Sequence, residues 1–63
     1  MRFIMLKDAK PGMILARGVY NDNGIALLSQ NTNLTEHYIY KLNELDIIGI
    51  YISEKTVREL VNV

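Results

Sequence analysis

Apolar residues recur in different rhythms along the chain, and each change of rhythm coincides with turn-forming residues. From Arg2 to Lys7, Phe3 and Met5 alternate with Ile4 and Leu6, so both sides of an extended segment would be apolar. A first, fairly buried strand is expected there. Asp8 to Gly12 holds the only proline, followed directly by glycine, a pair that presets one backbone angle and frees the next for a turn. Met13 to Tyr20 resumes an extended pattern with Met13, Leu15 and Val19 on one side, and Gly18 within it suggests a bulge or a close backbone approach. Asn21, Asp22, Asn23 and Gly24 follow, and Asn-Gly favours the positive φ angles of tight hairpin turns. Ile25 to Ser29 is then the returning strand of a hairpin.

The next change of rhythm is helical. Gln30 to Asn33 is polar, with Asn31 the residue best able to adopt a left-handed conformation. Thr35 is a suitable N-cap, and Leu34 before it can pack on Ile39 as a hydrophobic staple. Tyr38, Ile39, Leu42 and Leu45 fall on one helical stripe, with Glu36, Lys41, Asn43 and Glu44 off it. Asp46 is expected to end the helix, where glycine would do so at lower cost. Ile47 to Ser53 is rich in β-branched and aromatic residues and would place Ile48, Ile50 and Ile52 on one face of a strand. Ser53 can cap a short closing helix in which Val57, Leu60 and Val61 form an apolar stripe. The expected class is α+β: a first strand, a β-hairpin, a helix, a further strand and a short C-terminal helix. That last helix ends in apolar residues without a stop signal, so the chain reads as a piece of a longer protein or as a segment that docks on a partner.

Length and composition narrow the function. With 63 residues there is room for one small domain, spanning residues 1–63, and for no second core. No cysteine is present to staple it, so the fold must rest on its apolar residues or on association. The chain is 49% hydrophobic and 22% charged, which is globular rather than disordered composition. Seven basic residues balance seven acidic ones without a basic block, which argues against nucleic-acid binding. The first residues lack a signal-peptide core, and no apolar stretch approaches the roughly 20 residues of a membrane span, so neither a membrane nor export is expected and the cytoplasm is the default.

The side chains that could carry chemistry are few. His37 is the only histidine, and a metal site needs several ligands converging, so no metal or cofactor is expected. Ser29, Thr32, Thr35, Ser53 and Thr56 lack a base and an orienting group in any recognisable arrangement, and Thr35 and Ser53 are already explained as caps. The four glycines stand singly and form no phosphate-cradling loop. No catalytic set emerges. The tyrosines are more informative, because tyrosine joins a large apolar body to a polar tip and is enriched where proteins meet. Tyr40 points off the apolar stripe and Tyr51 lies on the last strand, so these two, with Val57, Leu60 and Val61, make up the candidate interaction surface.

From Lys10 onward the run Lys10-Pro11-Gly12-Met13-Ile14-Leu15-Ala16-Arg17, then Val19-Tyr20, Asn23-Gly24, Leu27-Leu28, Leu34-Thr35, Ile39, Leu42 and Ile47 through Tyr51-Ile52 resembles a known segment. It is similar to the N-terminal, non-catalytic region of bacterial HD-GYP phosphohydrolases. The resemblance implies an accessory domain beside a helical, metal-dependent catalytic domain that hydrolyses cyclic di-GMP. Neither the His-Asp doublet nor Gly-Tyr-Pro occurs in this chain, so no catalytic residue carries over. Asn31 and Asp46 stand where similar chains often have glycine. The partner implied is a catalytic domain of the same or another chain, or a second copy in a homo-oligomer. The alternative is a free-standing small-ligand or nucleotide sensor with its site at the hairpin and Tyr51.

Overall fold

The computed structural model describes residues 1–54. Its elements in order are β1 (Arg2–Met5), a 3-10 turn (Leu6–Asp8), β2 (Val19–Tyr20), β3 (Ala26–Leu28), α1 (Glu36–Glu44) and β4 (Gly49–Ile52). The class is α+β, as the hydrophobic pattern implies. β1 pairs antiparallel with β4, and β2 pairs antiparallel with β3, in two separate ladders. The expected closing helix, with Val57, Leu60 and Val61, lies outside the described residues.

The hairpin forms through a different turn from a simple Asn-Gly pair. The Gly24 amide donates to the Asn21 carbonyl at 3.0 Å, and only Gly24, not Asn23, takes a positive φ, of 79°. This is a β-turn over Asn21–Gly24 with a left-handed glycine after it, a geometry that leaves a bulge at the hairpin end. Asn21 reinforces it. Its Oδ1 accepts from the amides of Asn23 and Ile25, both at 2.9 Å, as expected of an Asx turn. The ladder shifts register between Val19 and Tyr20 and is correspondingly short.

Residues 13–18 do not extend the hairpin as a regular strand. Instead residues 12–16 thread between β4 and the loop of residues 31–34. On one side Gly12 and Leu15 donate to the carbonyls of Leu34 and Thr32, while Leu34 and Asn31 return bonds to Met13 and Leu15. On the other side Ala16 donates to Tyr51 and Ser53 donates to Ile14. Bonded to both neighbours, Ile14 and Leu15 are both buried, which a two-faced strand pattern alone does not anticipate.

Helix α1 begins and ends as local chemistry dictates. The Thr35 side chain accepts from the Tyr38 amide at 3.1 Å, satisfying one of the first-turn donors. At the other end Asp46 adopts φ 61°, its amide reaching Asn43 at 3.1 Å and the Ile47 amide reaching Leu42 at 3.0 Å. These two bonds make a Schellman cap, in which Ile47 and Leu42 both join the core. Asn31 also takes a left-handed conformation, with φ 70°. Both turns therefore form where glycine was absent.

The core is a single cluster of Leu6, Leu15, Val19, Leu34, Leu42, Ile50 and Ile52, with Ile4, Met13, Ile39 and Ile47 packed around it. Three expectations of burial are corrected. β1 is not buried on both sides: Phe3 and Met5 face outward and only Ile4 leans on the core. The helical stripe narrows to Leu42 and part of Ile39, leaving Tyr38 and Leu45 exposed. Ile48 is 72% exposed although it shares parity with Ile50 and Ile52, because it precedes β4 at the point where β1 folds into the 3-10 turn. Among the described residues one short helix, α1, packs on the sheet, and it does not cover both faces.

Candidate interaction surface

The outer face of the β1–β4 ladder follows from its register. Arg2 pairs with Ile52, Phe3 with Tyr51, Ile4 with Ile50 and Met5 with Gly49. Just beyond, the Leu6 amide donates to the Ile48 carbonyl at 2.7 Å, so the alternation of an antiparallel ladder makes Ile4–Ile50 and Arg2–Ile52 the hydrogen-bonded pairs. Phe3–Tyr51 and Met5–Gly49 are then the close, non-bonded pairs, and in the first of them the two side chains meet. The Phe3 and Tyr51 rings stand edge to face, with centroids 5.1 Å apart and planes inclined by 64°. Arg17 lies over the other ring of this pair, its Cζ 4.9 Å from the Tyr51 centroid, within range of a cation–π contact.

This assembly is exposed. Phe3 keeps 52% of its surface accessible, Tyr51 39% and Met5 41%, with Met1 open beside them. The same register aims the backbone groups of Phe3 and Met5 away from β4; as the N-cap of the 3-10 turn Met5 gives its carbonyl to that turn, while the Phe3 groups and the Met5 amide have no partner among the described residues. Among the described residues β1 is thus an open edge from Phe3 to the Met5 amide. The far edge of β4 is not, because the Tyr51 carbonyl accepts from Ala16 at 2.9 Å and Ser53 donates to Ile14 at 2.8 Å.

Tyr40 lies on a different surface from Tyr51. It is 59% exposed, and its hydroxyl donates to Glu44 Oε1 at 2.7 Å one helical turn away. That bond to an acceptor carboxylate, with a lesser effect of desolvation, raises the Tyr40 pKa above the ordinary tyrosine value. Tyr40 borders an open groove of about 390 Å³ between α1 and the loop that holds Lys7, Ala9 and Pro11. His37 sits in the first turn of α1 beside Tyr38, with ring centroids 6.3 Å apart. Among the described residues no group of three His, Asp or Glu side chains converges as a metal site would require.

Of the expected surface residues, the structure therefore separates Tyr40 from Tyr51, and Val57, Leu60 and Val61 lie outside the described residues. Phe3, Met5 and Arg17 were missed by sequence reasoning. Their signal was present as the alternation of Phe3 and Met5 with Ile4, but it was read as burial on both sides. Among the described residues no helix is long and apolar enough to cross a membrane. No protein-family model matches the chain, and neither does any curated protein or solved structure.

Proposed function

We propose that this chain is a non-catalytic accessory domain that acts by docking, either on a catalytic domain of the HD-GYP type or on a second copy of itself. The observation that carries this reading is the apolar ledge of Phe3, Met5 and Tyr51 on a free strand edge. Exposed aromatic and methionine side chains in one patch are the composition of protein interfaces. The resemblance of the Lys10–Arg17 run to the segment preceding such catalytic domains supports the same reading.

Amide spectra of the labelled chain test it. Adding a separately produced metal-dependent HD-GYP-type domain, or raising the chain's own concentration, should move the resonances of Phe3, Met5 and Tyr51. If neither moves them, or if the chain alone hydrolyses cyclic di-GMP, the reading fails.

One observation favours a second reading, in which the chain senses a small ligand. Arg17 over Tyr51 borders an open groove with Tyr20 and Gln30, a cation and aromatic rings that could stack a nucleobase. Titration with a cyclic dinucleotide separates the two. Saturable shifts confined to Arg17, Tyr20 and Tyr51 at micromolar ligand would favour sensing.

A further inference from the structure

Resting on the docking reading, we infer that the occupant of the β1 edge is a second copy of this chain, joined strand to strand about a two-fold axis through Phe3. The edge lacks two of the devices that keep sheet edges apart. It has no proline and no bulge, and its register with β4 is unbroken from Arg2 to Met5. Its one charged side chain is Arg2, and the chain as a whole carries no net charge to repel a copy.

The free groups are self-complementary. The outward groups left open are the Phe3 amide and carbonyl and the Met5 amide, with Met1 continuing the same parity. Antiparallel pairing centred on Phe3 sets Phe3 opposite Phe3 of the partner subunit and Met1 opposite Met5 of the partner subunit. This register bonds the two Phe3 residues to each other and sets each Met5 amide against the Met1 carbonyl of the partner subunit. On the exposed face it aligns four rings in a row, Tyr51 and Phe3 from each copy, flanked by methionines that favour aromatic contact. On the inner face the Arg2 stem lies against Ile4 of the partner subunit.

The assembly closes at two. β4 has its far edge occupied by residues 14–16, so the joined sheet of four strands presents no second β1-type edge for a further copy.

Sedimentation equilibrium of the full chain should show a two-copy species whose share rises with concentration, with the Phe3 and Met5 amides exchanging more slowly as it forms. Met5→Pro tests the edge directly. Met5 has φ −73°, within proline's range, and its amide has no partner among the described residues, so the fold survives while two inter-chain bonds are lost. The dissociation constant should rise about tenfold or more. If circular dichroism shows that variant unfolded, a synthetic chain methylated on the Phe3 amide nitrogen removes the same kind of bond and keeps every side chain. A chain that stays monomeric at every concentration, or a dimer equally tight with the edge blocked, overturns the pairing. Either result leaves the accessory-domain reading standing, because that reading fails only on the mixing experiment with the catalytic domain or on activity of the chain alone.

Discussion

The Phe3 ring lies over Gly49 and takes up the space in which a side chain at that position would stand. A β-carbon on Gly49 would come 2.8 Å from Phe3 Cε2 and 2.9 Å from the Ile4 carbonyl oxygen. The ring could swing away, but the carbonyl belongs to the ladder and cannot. Gly49→Ala should therefore cost about 1–3 kcal/mol, as overpacking does, measurable by urea denaturation. An unchanged midpoint would mean that β1 does not lie against β4 in this register.

Asp46 holds a left-handed conformation that glycine adopts without steric cost, and its carboxylate sits at the negative end of the α1 dipole. Asp46→Gly relieves both and should stabilise the fold by about 1 kcal/mol, raising the thermal midpoint by roughly 4–8 °C. A lowered midpoint would show that the Schellman cap does not form as described.

Thr35 supplies the only side-chain cap of α1, through its bond to the Tyr38 amide. Thr35→Ala should cost about 1 kcal/mol, whereas Thr35→Ser should cost much less because the accepting oxygen remains. Equal losses for the two variants would point to the methyl group rather than the cap.

Leu15 is fully buried at the centre of the core, its amide donating to Thr32 and its carbonyl accepting from Asn31. Leu15→Ala should cost about 2–5 kcal/mol. A domain of this length has only about 3–9 kcal/mol in total, so the variant should lose a large share of its stability, seen as a lowered urea midpoint by circular dichroism.

Tyr40 should ionise above the ordinary tyrosine value, because losing its proton ends the bond to Glu44 and sets two negative groups together. A raised folded-state value means that the stabilisation is fully present below the ordinary tyrosine value and is lost as pH rises through the higher one. Following the Tyr40 ring resonances with pH checks this. Glu44→Gln should bring the midpoint down, and a midpoint indifferent to that change would refute the bond.

Turns and helix ends were legible because they are settled by residues close together in sequence. Asn21 to Gly24, Thr35, Asn31 and Asp46 each act on backbone groups within four residues, apart from the Asn31 amide bonded to Leu15. The antiparallel partner of β1 was not legible in this way, since Phe3 and Tyr51 are far apart in the chain and nothing local joins them. The candidate surface suffered most from this, because its central pair exists only once β1 and β4 meet.

Alternating and helical rhythms were enough to establish an α+β chain, its hairpin and the limits of its helix. Which apolar residues would be left in water was decided by the packing, since periodicity marks faces without saying whether anything covers them. Phe3, Met5, Leu45 and Ile48 fit apolar faces as well as Ile50 does, yet among the described residues α1 packs through Leu42 toward Ile50 and Ile52, and residues 14–16 bond to the β4 edge without covering the outer face. A chain this short has too little surface to bury every face that its pattern creates.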